Sequence, residues 1–195
     1  PQATVSRVDK LAQLRNSLVQ RKADAHFIAT LDDIAWLFNL RGSDVSFNPV
    51  FVSFALIDSA QAILFVDLNK VSPALQETLG RDGIELREYV EINDALAALS
   101  ASTRLLVDPA RVTCGLLSHL HPDVTLVEGL NPTTLAKSQK SLDDAFHIRQ
   151  AMEQDGAALC EFFAWLETAL GRERITELTI DEQLTAARAR RPGYV

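Results

Sequence analysis

The sequence predicts an α/β fold, a mixed β-sheet flanked by helices, followed by two C-terminal helices of a second unit. Short apolar runs alternate with amphipathic stretches through residues 1–139, and two of those runs, joined by Asp58-Ser59-Ala60-Gln61, read as an antiparallel hairpin. From Ser141 onward the pattern is purely helical. Strands that alternate with helices need parallel pairings, and the hairpin adds an antiparallel one, so the sheet must be mixed.

Composition narrows the class. The chain has 195 residues, 47% hydrophobic and 23% charged, which is an ordinary globular balance that needs no disulfide or metal to fold. With 19 Lys and Arg against 26 Asp and Glu, the net charge of -7 leaves no basic field for a phosphodiester backbone. Nucleic-acid binding by net charge is excluded. Cys114 and Cys160 lie far apart and form no disulfide framework, which fits reduced thiols and a cytoplasmic location, with both expected to be small buried apolar residues. The charge-free stretch Val45 to Ile57 contains Asn48 and Pro49 and is too short to span a bilayer, and the N-terminal Arg7, Asp9 and Lys10 do not fit a signal peptide. The sequence starts at Pro1 without Met and stops at Val195 just after an Arg-rich helical pattern, so it reads as a piece of a longer protein.

The first element is an amphipathic helix with Val8, Leu11, Leu14 and Leu18 on the stripe that faces a sheet. His26 to Ala29 is a strand, and Thr30 with Asp33 resembles a capping box for a helix through Trp36, Leu37 and Phe38. Val50 to Ile57 and Ala62 to Val66 are the hairpin strands. Ser72-Pro73 opens a helix that Gly80 closes, and Ile84 to Arg87 alternates like an outer strand. A helix over Asn93 to Leu99 leads to the strand Arg104 to Val107, broken by Asp108-Pro109. Thr113 to Leu120 reads as a helix, Val124 to Val127 as a strand, and Asn131-Pro132 as a helix start. The run from Ser141 to Leu170 is one long helix with Phe146, Met152, Leu159, Phe163 and Leu166 on or near one face. Thr179 with Glu182 opens the last helix, which Pro192-Gly193 stops. Those helices have no strand to cover them, so the domain boundary falls near Gln139, giving 1–139 and 140–195. Their apolar stripe would face water unless another molecule or the first domain covers it, which predicts self-association, a homo-oligomer such as a dimer.

The stretch Leu31-Asp32-Asp33-Ile34-Ala35-Trp36-Leu37-Phe38-Asn39-Leu40-Arg41-Gly42-Ser43-Asp44, followed by Asn48-Pro49-Val50-Phe51, resembles the creatinase N-terminal-like middle domain of the Xaa-Pro aminopeptidases (aminopeptidase P). Ala145-Phe146-His147-Ile148-Arg149, Asp155-Gly156-Ala157-Ala158-Leu159 and Phe163-Ala164-Trp165-Leu166-Glu167 resemble the first helix of the catalytic domain of the same family. The resemblance implies a ribonuclease-H-like mixed sheet, then the N-terminal helices of a truncated pita-bread metallopeptidase domain. It also implies a parent hydrolase that releases the residue preceding proline from peptides with proline at the second position, using two divalent metal ions, usually manganese, held by two Asp, one His and two Glu. No residue of this chain matches those ligands. The resemblance therefore implies a catalytically silent supporting piece, with no catalytic or metal residue of its own.

The residues read by themselves agree: there is no H-E-x-x-H, G-x-S-x-G, P-loop or G-x-G-x-x-G pattern. Arg41, beside Gly42, Ser43 and Asp44, either ties the loop to Asp44 or reaches a substrate carboxylate; in the resembled family this module borders the active-site cleft, which keeps substrate binding by Arg41 open. His119 and His121 alternate as a metal-sharing pair would, though only Asp123 stands near as a third ligand, and solvated turn histidines are the simpler account. His26 reads as a satisfied sheet residue and His147 as part of the long helix. Asp67 and Asp108 each follow a strand and, with Asp32 and Asp33, raise an alternative: a magnesium-dependent hydrolase of small phosphate esters. A third reading is plain scaffolding, in which the domain orients or dimerises an enzyme and binds nothing.

Overall fold

The structure, a computed structural model, describes Ala3–Tyr194. Two compact units are present: residues 5–139, and residues 140 onward together with the first residues of the chain.

The larger unit is built on a six-stranded sheet of order β4-β3-β2-β1-β5-β6, with β1 Ala25–Ile28, β2 Ser53–Asp58, β3 Ala62–Val66, β4 Ile84–Glu88, β5 Arg104–Val107 and β6 Thr125–Glu128. The β1/β2 and β2/β3 pairs are antiparallel and the β3/β4, β1/β5 and β5/β6 pairs parallel, so the expected mixed sheet is present. Side-chain alternation sends successive residues to opposite layers. Phe27, Leu56, Ile63, Phe65 and Leu105 pack with Ile92 and Leu96 of α4 (Ile92–Ala97). Ile28, Ala55, Ile57, Leu64 and Val66 face Leu11 and Leu14 of α1 (Arg7–Gln20), Ile34, Leu37 and Phe38 of α2 (Leu31–Phe38), and Leu79 of α3 (Pro73–Arg81). Beyond β5 come the short α5 (Cys114–Leu117) and, after β6, α6 (Pro132–Ser138).

Several boundaries differ from the sequence reading. β2 begins at Ser53 because residues 42–50 fold back on themselves first, with Gly42 N–H donating to Pro49 O and Asp44 N–H to Val50 O. Gly80 lies inside α3; the left-handed residue that turns the chain is Gly83, at φ 77°. Thr30 does not cap the α2 backbone, since its hydroxyl donates instead to the Asp33 carboxylate at 2.8 Å. The hairpin turn is fixed by Asp58, whose Oδ1 accepts from Ala60 N–H at 2.7 Å and Gln61 N–H at 2.6 Å.

The smaller unit contains α7 (Leu142–Ala169), with both halves of the Ser141/Asp144 capping box formed, and α8 (Glu177–Ala189). The cap of α8 is Thr176, not Thr179; Thr179 supplies the N–H that Thr176 accepts. The buried face of α7 is Ala158, Phe162 and Ala169, which corrects the expected stripe: Phe146, Met152 and Phe163 are exposed. Small residues at 158 and 169 let α8 approach with its own buried Ala187, and Arg188 clamps Asp155 with Nε–Oδ1 at 2.7 Å. Both cysteines are exposed, so neither is the core residue the sequence suggested.

Phe65, fully buried in the inner strand β3, tests which layer bears the load. Phe65→Ala should cost about 3–5 kcal/mol in urea unfolding, as expected for a large core cavity; a loss below about 1 kcal/mol would contradict this packing.

Candidate functional site

The segment that carried the sequence signal is α2 and the loop after it. α2 ends at Asn39, which takes the left-handed conformation at φ 53°. The helix-end carbonyls accept the turn's own N–H groups, Leu40 N–H to Ala35 O at 3.0 Å and Asn39 N–H to Trp36 O at 3.4 Å, and two cations add charged donors. Lys10, itself 6% exposed, donates to Trp36 O at 2.8 Å and to Asn39 Oδ1 at 2.6 Å, and stands 4.1 Å above the Trp36 ring. Arg41 Nη1 donates to Ala35 O at 3.1 Å and Leu40 O at 2.7 Å. Positive charge at a helix C-terminus is favourable because the partial charges of the carbonyls collect there.

Arg41 therefore does not tie the loop to Asp44. Asp44 is held by Lys70, whose Nζ lies 2.8 Å from each carboxylate oxygen, and by Val52 N–H at 2.8 Å. The Lys70 hydrogen bond holds the Asp44 carboxyl below its usual range. A glycine is required at position 42 because a Cβ there would stand 2.6 Å from Phe51 Cβ and 3.1 Å from Val50 O. The loop tip carries a Val45/Asn48 bridge and the fully exposed Phe47, at φ 62°. Arg41 is exposed and bonds through one terminal nitrogen.

Beneath α2 lies a buried polar cluster. Asp33, 1% exposed, accepts from Thr30 Oγ1 at 2.8 Å, Thr134 Oγ1 at 2.6 Å and Asn131 Nδ2 at 3.3 Å, and its other oxygen lies 3.0 Å from Lys137 Nζ. Lys137 also pairs with Asp32. Burial alone would raise the Asp33 pKa, but the hydrogen bonds from Thr134, Lys137 and Thr30 outweigh it and hold the carboxyl below its usual range. Asp108 turns back on Ala110 N–H at 3.1 Å and accepts from Asn131 N–H at 3.4 Å. Asp67 caps a short turn by accepting from Asn69 N–H at 3.0 Å.

The four aspartates thus have local partners and do not form an ion-binding set. Among the described residues no three His, Cys, Asp or Glu side chains come together as metal ligands. The residues present do not fit a two-metal centre. His119 and His121 lie at a helix end and in the turn after it, and His121 Nδ1 accepts from Asp123 N–H at 3.2 Å, so they are turn histidines. His147 lies on α7. Sequence reasoning missed Lys10, Lys70, Thr134 and Lys137, whose partners lie 26 to 105 residues away, with no local signal to mark them.

A profile of the creatinase/prolidase N-terminal domain matches residues 2–143. The chain belongs to that family. A probable Xaa-Pro aminopeptidase P of Botryotinia fuckeliana is 34% identical over 195 residues, covering 95% of this chain and 30% of that protein. The corresponding protein of Arthroderma gypseum is 40% identical over 175 residues, covering 85% of this chain and 27% of its own length. The crystal structure of the X-prolyl aminopeptidase from Caenorhabditis elegans, described as a cytosolic enzyme with a di-nuclear active site, superposes with a TM-score of 0.92 at 25% identity, over 100% of this chain and 32% of that one. The chain spans about a third of the length of the relatives it matches. No helix among the described residues is long and apolar enough to cross a membrane.

His26 gives this creatinase/prolidase-type unit a pH signature. It is fully buried, its Nδ1–H donates to Leu106 O at 2.9 Å, and burial lowers its pKa from 6.5 to about 4. The unfolded chain therefore binds a proton before the folded one does, and stability should fall by up to about 3 kcal/mol as pH drops from 6.5 to 4. Asp33 acts in the lower window, its contribution being lost only as pH falls through its depressed pKa. Urea unfolding across this range should show the His26 loss, and His26→Gln should flatten it; an equally steep profile in the variant would assign the slope elsewhere.

Proposed function

We propose that this chain is the supporting part of a metal-dependent Xaa-Pro aminopeptidase that releases the residue preceding proline. In this reading residues 1–139 form the creatinase N-terminal-like domain and residues 140–195 the first helices of the catalytic domain, with the two-metal centre, manganese by the family resemblance, carried outside these residues. The observation that supports it is a superposition that covers 100% of this chain and 32% of an X-prolyl aminopeptidase. The reading also keeps a cytoplasmic location. The local pairings of Asp32, Asp33, Asp67 and Asp108 speak against the phosphate-ester alternative.

Within that reading Arg41 contacts substrate. One of its terminal nitrogens holds the carbonyls of Ala35 and Leu40, which leaves the rest of an exposed guanidinium to meet a peptide carboxylate. The 195-residue chain with manganese should release no proline-adjacent residue from an Xaa-Pro peptide, whereas the longer parent protein should. In that protein Arg41→Ala should raise KM about tenfold on longer peptides, the size of a lost charged hydrogen bond, with little change on a dipeptide. Unchanged kinetics with lowered stability would leave Arg41 a helix-capping residue alone. Turnover by the isolated chain would end the proposal.

Self-association belongs to the same proposal. Phe146, Met152 and Phe163 are 55%, 61% and 53% exposed on α7, an apolar surface that a homo-oligomer would cover. Light scattering should show mass rising with concentration, and Phe163→Glu should suppress the rise. A constant monomer mass would remove self-association.

A further inference from the structure

The sheet has a point at which its chain connections part. β1 and β5 are parallel neighbours. After β1 the chain enters α2, whose Ile34, Leu37 and Phe38 join the layer of α1 and α3; after β5 it leads to α5, whose Leu116 and Leu117 pack on the opposite layer. In open α/β sheets, the carboxyl ends of parallel strands whose connections leave on opposite faces frame a crevice that ligands use.

A cavity of about 480 Å³ lies at this place, within the range of roughly 300–1,000 Å³ common for small-molecule sites. It is lined by Ala29 directly after β1, Arg111 beyond β5, Leu116 of α5, and Phe54, Tyr89 and Asn93. The Phe54 and Tyr89 rings are stacked, with centroids 5.0 Å apart and planes 19° apart, and Phe27 backs Phe54 at 5.7 Å. Both Phe54 and Tyr89 remain half-buried, and Val90, which also lines the cavity, is 76% exposed.

Beside the polar Asn93 and Thr113, the charged residue lining the cavity is Arg111. Its backbone N–H is used by Asp108 O, but among the described residues its guanidinium has no hydrogen-bond or ion-pair partner. Elsewhere in this unit Lys10, Arg41, Lys70 and Lys137 are each engaged by carbonyls or carboxylates. Lys22 of this unit also has no side-chain partner among the described residues; Arg111 differs in lining a cavity with Phe54 and Tyr89. An apolar crevice with a single forked cation selects a flat hydrophobic group that carries an anion.

We propose that this crevice binds a small carboxylate bearing an apolar ring, with the ring against the Phe54–Tyr89 stack and Leu116 and the carboxylate on Arg111. The ligand chemistry is shared by free aryl acids and by a peptide chain ending in phenylalanine. This inference does not rest on the peptidase reading.

The test is titration of the 195-residue chain with 3-phenylpropionate, followed by amide NMR shifts. Saturable shifts confined to Ala29, residues 89–93 and residues 111–116 are expected. Propionate, which lacks the ring, and 3-phenylpropanamide, which lacks the charge, should each bind at least about tenfold more weakly. Arg111→Gln should weaken 3-phenylpropionate by a similar factor, leave the amide unchanged and keep the wild-type Tm, since Arg111 is exposed. Gly-Gly-Phe binding more tightly than 3-phenylpropionate would identify a chain terminus as the ligand, and the reverse order a free acid. Absence of saturable shifts, shifts centred elsewhere, or equal affinity for wild type and Arg111→Gln would overturn the proposal.

Discussion

A buried carboxylate sets the terms for this unit. An ionised Asp33 in the interior is costly by several kcal/mol unless its oxygens are met by donors, and here donors come from its own helix cap and from a segment about a hundred residues later. Thr30, Asn131, Thr134 and Lys137 satisfy it together, so α6 cannot leave α2 without stranding a charge. This is why α6, a helix of seven residues with little apolar surface of its own, has a defined place. Hydrophobic burial gives the sheet its stability, while the Asp33 cluster gives the last helix of the unit its position.

The end of α2 shows the same principle at a surface. At the left-handed Asn39 the last carbonyls accept the turn's N–H groups, and Lys10 and Arg41 add charged donors to them. The loop that follows is built by Gly42, which permits close approach to Phe51, and by Asp44, which is fastened to Lys70. Its shape is thus set by contacts within the unit, in the segment whose sequence carries the resemblance to the aminopeptidase family. Membership of the creatinase/prolidase N-terminal family follows from most of the chain, residues 2–143.

Much of the architecture was legible because it is written in short-range patterns. The stripe Leu11, Leu14, Leu18 marks α1, the Asp58 turn marks the hairpin, and Ser141 with Asp144 marks the start of α7. Misreadings occurred where a local signal had a competitor. Thr30 and Asp33 look like a capping box, but the buried carboxylate takes the hydroxyl for itself. On α7 the large residues Phe146 and Phe163 suggested the packing face, yet small Ala158 and Ala169 allow close approach of α8 and so define it.

The sequence alone determined the fold class, the acidic net charge and the resemblance to the family, since each depends on composition, periodicity or a contiguous motif. Only the tertiary structure decided that Asp44 belongs to Lys70, that Asp33 belongs to α6, and that Arg111 lines one cavity with a stacked aromatic pair. Those pairings join residues far apart along the chain. Charge and hydrogen-bond complementarity act through space, so no local pattern encodes which distant donor a buried or surface charge will meet.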